Sequence, residues 1–145
     1  PLRACCAASP NQIWAVGDRG LVMHTSDDGQ SWKSVQVPAN CNFHDVQFPD
    51  PEHGFIAGGI VWPFSGRSDG CLLRTADGGA TWQNASVQPL PRITGMQVFS
   101  RDHLIVWGDW STQQRTSILE SVDGGVTFQQ KPSPCAQVET AAWLN

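Results

Sequence analysis

The side chains best placed by type and spacing to do chemistry are three carboxylates that recur in one short phrase. Asp27 sits in Thr25-Ser26-Asp27-Asp28-Gly29-Gln30-Ser31-Trp32, Asp77 in Thr75-Ala76-Asp77-Gly78-Gly79-Ala80-Thr81-Trp82, and Asp123 in Ser121-Val122-Asp123-Gly124-Gly125-Val126-Thr127-Phe128. Acids can act as bases, nucleophiles or calcium ligands. The spacing argues against all three. The copies begin at positions 25, 75 and 121, so successive copies put the acids in separate units, too far apart to converge on one substrate. Each phrase also lacks the acidic density of an oxygen cage for calcium. Turn chemistry remains. Glycine takes a positive φ without steric cost, and the Asp carboxylate bonds amides across the bend. The flanking Ser/Thr hydroxyls satisfy further amides, and the closing aromatic is expected to fold over the hairpin as an apolar plug. Asp27, Gly29, Trp32, Asp77, Gly79, Trp82, Asp123, Gly125 and Phe128 are therefore read as structural.

Other reactive types are scattered. His44 beside Asp45 suggests acid–base work, but neighbours on a strand point to opposite faces and cannot pair side chain to side chain. Asp45, Asp69 and Asp109 are the candidates for a glycosidase-type carboxylate pair, and nothing in the sequence pairs them. Five cysteines (Cys5, Cys6, Cys41, Cys71, Cys135) include no C-x-x-C, which argues against zinc. Seven Arg and two Lys face thirteen acids, giving a net charge of −4 with no basic run, which argues against nucleic acid as a partner class. No apolar stretch is long enough for a membrane-spanning helix. No metal, cofactor or catalytic residue is assigned.

The elements that must position these residues follow from the repeat. Units that recur every 50 and then 46 residues are stacked supersecondary structures. Aligned on the turn phrase, each unit reads as four strands. First strands are Ala4–Ala8, Phe43–Phe48 and Ile93–Phe99, with a fourth version at Val138–Leu144. Second strands run Ile13–Gly17, Phe55–Gly59 and Leu104–Gly108. Third strands (Leu21–His24, Cys71–Arg74, Ser117–Glu120) carry consecutive apolar residues without alternation, which predicts that both sheet faces are covered. Fourth strands (Lys33–Val37, Gln83–Val87, Gln129–Lys131) lead into Pro-rich connectors. The reading is all-β, a β-propeller segment over 1–145 built from four-stranded antiparallel blades. Blade one covers about 2–37, blade two about 42–87 and blade three about 93–131, and about 138–144 forms the first strand of a further blade. Three blades cannot close a ring, so the expectation is either a piece of a larger propeller or copies that complete one. Cys41 and Cys135 fall in equivalent connectors and are expected to be exposed.

The repeated phrase resembles the Asp-box, or BNR, repeat of sialidases, sortilin-type receptors, some glucanases and photosystem II assembly factors. The resemblance implies a propeller with each box between the third and fourth strands. Around Phe43-His44-Asp45-Val46-Gln47-Phe48-Pro49-Asp50-Pro51-Glu52-His53-Gly54-Phe55-Ile56-Ala57-Gly58, followed by a T-x-D-G-G-x-T-W box, the chain is similar to the photosystem II assembly/stability factor family. That resemblance implies a non-enzymatic scaffold holding a protein client outside the cytoplasm. Blades one and three lack Asp-Pro-x-His-Gly. A sialidase needs a nucleophilic Tyr, and the chain contains none.

Candidate contact residues come from loop length. The connection between the second and third strands is short in blade one (Asp18 to Gly20). It lengthens to Ile60–Gly70 in blade two and Asp109–Thr116 in blade three, and extra length above a repetitive scaffold is where function collects. Trp62, Phe64 and Arg67, with Trp110 and Arg115, are read as a surface for a protein client, an extracytoplasmic scaffold role. The alternative is a carbohydrate-binding or glycoside-hydrolase-type propeller with a glycan on the same face.

Overall fold

The computed structural model describes residues 1–109 and 117–132. They form three four-stranded antiparallel sheets whose strands pair in chain order. Blade one comprises β1 (Leu2–Ser9), β2 (Gln12–Gly17), β3 (Val22–Thr25) and β4 (Lys33–Ser34). Blade two comprises β5 (Asn42–Gln47), β6 (Gly54–Val61), β7 (Ser68–Thr75) and β8 (Gln83–Asn84). Blade three comprises β9 (Arg92–Val98), β10 (Leu104–Asp109), β11 (Ser117–Ser121) and β12 (Gln129–Lys131). The fourth strands β4 and β8 are shorter than the sequence suggests, although Val35 and Ala85 each still donate an amide to the third strand. The expected strand at 138–144 and the connector holding Cys135 lie outside the described residues.

The apolar runs cover both faces of the middle sheet. Leu72 and Leu73 are adjacent on β7, yet they enter different cores. Leu73 packs with Ile56, Val46 and Phe43 against Trp14, Val16 and Val22 of blade one. Leu72 packs with Phe55 and Ala57 against Ile93, Met96, Val98, Leu104 and Val106 of blade three. Blades thus share cores rather than owning them.

Side-chain hydrogen bonds pin the inner strands together. The Gln47 carboxamide reaches across to β9, donating to the Met96 carbonyl at 2.7 Å and accepting from the Val98 amide at 2.9 Å. It imitates a strand residue. Asp45 accepts from the Met96 amide at 3.1 Å, from the Val46 amide at 2.9 Å and from Gln47. Burial pushes the Asp45 pKa above the ordinary carboxylate value, against the pull of those donors.

The recurring turns share one hydrogen-bond pattern. The buried hydroxyl of Thr25, Thr75 or Ser121 donates to the carboxylate at 2.7, 2.7 or 2.8 Å. It accepts from the amide of Gly29, Gly79 or Gly125 at 3.0, 2.9 or 2.8 Å. The same carboxylate accepts from the amide of Ser31, Thr81 or Thr127, and from its hydroxyl. Those bonds, led by the one from the downstream hydroxyl, hold all three carboxyls at about 2.

The box glycines also serve packing. At Gly79 φ is +91°, and a Cβ there would stand 2.1 Å from the Trp14 ring of blade one. The box aromatics do not cap their own hairpins alone, as the sequence suggests; they lie against the preceding blade. Trp82 is 8% exposed and meets Trp14 edge-on at 5.4 Å. Phe128 packs on the core between blades two and three. Trp32, with no described blade before it, is 41% exposed.

Cys41 corrects the sequence reading. It is buried rather than exposed, because the connector turns inward at Gly20, whose amide bonds the Cys41 carbonyl at 2.7 Å, and the thiol is joined in a disulfide to Cys71.

Two outcomes follow. Gln47→Ala strands a carbonyl and an amide on β9 and is expected to lower unfolding stability by about 2 kcal/mol in urea titration. The box carboxyls have folded pKa values of about 2 against an ordinary 3.8, so the unfolded chain binds more protons between those values. Their contribution is complete above about pH 4 and is lost as pH falls towards 2. Asp77→Asn should make the acid limb of a urea-midpoint profile shallower while leaving its slope above pH 5 unchanged.

Candidate functional site

Backbone bonds sort the loops onto two faces. Box turns bond the turns between first and second strands: the Asp28, Gly78 and Gly124 amides donate to the Asn11, Glu52 and Asp102 carbonyls. On the other face, connectors bond the far ends of these loops and strands: the Gly20 amide of the blade-one turn donates to the Cys41 carbonyl, and the Gly70 amide of β7 to the Leu90 carbonyl. The candidate site lies on this second face.

Its most prominent feature is the turn of blade two. The sequence suggests an eleven-residue loop, Ile60 to Gly70. Strand pairing instead continues through Ile60 with Asp69 and Val61 with Ser68, leaving residues 62–67 as the tip. The ladder extends because Ile60 and Val61 are β-branched and favour the pleat. The tip is braced throughout. The Trp62 amide donates to the Arg67 carbonyl at 2.8 Å, and the Gly66 amide to the Trp62 carbonyl at 2.9 Å. The Trp62 indole donates to Asp69 at 2.8 Å, and Arg67 pairs with the same carboxylate at 3.2 Å. Braced by these bonds, the tip leaves Trp62 50% exposed and Phe64 wholly exposed. A cleft of about 430 Å³ runs between Trp62, Phe64, Arg67 and Asp69.

The foot of this hairpin is tied to blade three. The buried Ser68 hydroxyl donates to the Asp109 carbonyl and accepts from the Arg92 amide, and the Arg92 guanidinium pairs with the Asp109 carboxylate at 3.1 Å. Trp110 and Arg115, the blade-three candidates, lie outside the described residues. The structure brings Trp62, Phe64 and Arg67 together.

Next to the hairpin, the first strands begin with a bulge in every blade. Pairing skips Arg3 in β1, His44 in β5 and Thr94 in β9. A bulge re-aims the extra side chain. Arg3 pairs with Asp18, holding that carboxyl below its usual range. Burial, then Arg3 and Arg92, lower the pKa of His44. His44 and Asp45 form no dyad, since the oxygens of Asp45 are taken by Val46, Gln47 and Met96. Sequence reasoning passed over Arg3, because a bulge leaves no mark in residue type, and over Ser68 and Arg92, because their roles come from the contact between blades two and three and within blade three. Asp18, Asp69 and Asp109 each stand against an arginine. Among the described residues no three His, Cys, Asp or Glu side chains gather to hold a metal.

Comparison with known proteins places this geometry. The family described as photosynthesis system II assembly factor YCF48 matches residues 30–101. The photosystem II assembly lipoprotein Ycf48 of Synechococcus sp. (strain CC9902) is 33% identical over 94 residues, covering 65% of this chain and 25% of that protein. The chloroplastic photosystem II stability/assembly factor HCF136 of Arabidopsis thaliana is 32% identical over 68 residues, 46% of this chain and 15% of that one. The chain thus spans a quarter or less of these relatives' length. Among solved structures, YCF48 bound to D1 peptide overlays with a TM-score of 0.70 at 22% identity, covering 89% of this chain and 39% of that one. YCF48 from Cyanidioschyzon merolae gives 0.69 with the same coverage. At that identity the overlay speaks to fold, and the fold is the propeller. Three matching sheets and these sequence matches make the chain a BNR-type β-propeller similar to the Ycf48 and HCF136 assembly factors.

Proposed function

We propose that the chain is a non-enzymatic scaffold that binds a peptide segment of a client protein on the face carrying the blade-two hairpin. The observation that carries this reading is the braced tip of residues 62–67, which presents Phe64 and Trp62 to solvent beside Arg67. Aromatic and Arg side chains on a preorganised support are what binding hot spots are made of, because little conformational freedom remains to be lost on association. Trp110 and Arg115 extend the same surface in this proposal. A D1 peptide is bound by one structural neighbour, and a peptide client of that kind is the proposed ligand here.

The carboxylates of this face favour holding over turnover. Asp18, Asp69 and Asp109 each have an arginine as counter-ion, whereas a hydrolase needs two carboxyls set against each other across a bond. An extracytoplasmic location is part of the proposal. The Cys41–Cys71 disulfide suits an oxidising compartment, and one relative is named as a lipoprotein. No helix of the described residues is long and apolar enough to cross a membrane.

Titration of the chain with a fluorescent D1 peptide tests the reading. Phe64→Ala and Trp62→Ala are each expected to weaken binding by roughly tenfold or more with unchanged thermal unfolding. Asp69→Ala, which frees both the indole and Arg67, should weaken it less and speed amide exchange across 62–67. Wild-type affinity in all three variants, or binding of a glycan panel that Trp62→Ala abolishes, would overturn the proposal.

A further inference from the structure

A cavity of about 250 Å³ opens between blades two and three on the box-turn face, away from the blade-two hairpin. One wall is a row across blade two: Phe55 on β6 lies opposite Arg74 on β7, and Arg74 opposite Gln83 on β8. The other wall is blade three, with Arg101 and Asp102 from the turn after β9 and Gly124 from the box. Gly124 draws the walls together. Its amide donates to the Asp102 carbonyl at 2.9 Å, and its own carbonyl accepts from Arg74 at 3.3 Å. A Cβ on Gly124 would stand 3.2 Å from Nη1 of Arg74 and 3.3 Å from the Arg101 carbonyl. Among the described residues Arg74 has no carboxylate partner, and Arg101, its side chain 63% exposed, reaches only Asp102 at 3.5 Å. His53 also lines the cavity, with Nδ1 bonded to Asp50 at 2.9 Å.

The junction of blades one and two shows that blade packing does not require these arginines. Trp14, His24 and Lys33 form the matching row, and Pro51, Glu52 and Gly78 take the places of Arg101, Asp102 and Gly124. There His24 stacks on the Trp14 ring at 4.3 Å and bonds Gln12, while the facing turn carries an uncharged proline. We infer that the cavity between blades two and three is a socket for one acidic side chain of a partner polypeptide, its carboxylate held between Arg74 and Arg101. A guanidinium offers paired N–H donors whose geometry matches a carboxylate. Two of them against the single carboxylate of Asp102 leave one positive charge in excess, which suits a monoanion. A phosphate dianion would set its second charge against Asp102. The volume agrees, since it falls below the roughly 300–1,000 Å³ of small-molecule sites, and Phe55 gives the methylene stem an apolar wall. The socket is independent of the peptide surface around Trp62 and Phe64.

Titration of the whole chain with the capped pentapeptide acetyl-Gly-Gly-Glu-Gly-Gly-amide, followed through the guanidinium N–H signals in NMR spectra, tests this. The Nε–H signals of Arg74 and Arg101 should shift saturably with the Glu peptide and stay in place with its Gln counterpart. Arg101→Gln should weaken binding, read at Arg74, by roughly tenfold. Asp102→Asn, which removes the competing charge, should tighten it by roughly two- to threefold. Both substitutions leave the backbone bonds of the turn in place, and unchanged thermal unfolding checks that the fold is kept. An absence of saturable shifts overturns the inference, as does an equal response to the Gln peptide or wild-type affinity in Arg101→Gln. Acetate or inorganic phosphate binding as tightly as the Glu peptide would make the cavity a plain anion site and overturn it too.

Discussion

A four-stranded sheet with leucines pointing both ways has no side it can give to water. Leu72 and Leu73 express that constraint in two adjacent residues, each buried in a core completed by a different blade. Burial of apolar area drives the association, but apolar contact alone does not fix register. The amide of Gln47 does, because its donor and acceptor meet one carbonyl and one amide on β9. Stacking, register and the orientation of everything above the sheets descend from that pairing of apolar faces with one polar clasp.

The recurring turns belong to the same logic. Their carboxylates and hydroxyls satisfy amides that a tight bend would otherwise leave unpaired, and none turns towards a shared cavity. Yet the turns are more than local. Gly79 lies on the Trp14 ring, Trp82 inserts beside it and Phe128 packs on the next core, so the hairpins of blades two and three also lock each blade to the one before. Arg74 adds a bond from blade two to the Gly124 carbonyl in the box turn of blade three. Gly79 answers two demands at once, a left-handed backbone and the aromatic ring of the preceding blade.

Over this scaffold the loops are free to differ. Blade one closes its second turn in three residues, with Arg19 and Gly20 both at positive φ. Blade two instead extends its ladder and raises a braced tip. Rigidity there comes from inside the hairpin, through Asp69, and from below, through Ser68 and Arg92 on blade three. A surface aromatic held this way differs physically from one on a mobile loop, since its ordering cost is met in the free protein.

Repetition made the architecture legible in the sequence. A turn phrase written three times, with Asp, Gly and Ser/Thr at fixed offsets, has one common local solution wherever it occurs, because its hydrogen bonds span only four residues. The apolar runs likewise announced sheets covered on both faces. Long-range matters were not legible. The bulges at Arg3, His44 and Thr94 depend on how first strands meet second strands, the burial of Cys41 on where a connector turns inward, and the pairing of Arg92 with Asp109 on the approach of blade three. Local hydrogen-bonding chemistry is encoded residue by residue, whereas the partners of Gln47, Ser68 and Trp82 are decided only when one blade is laid against the next.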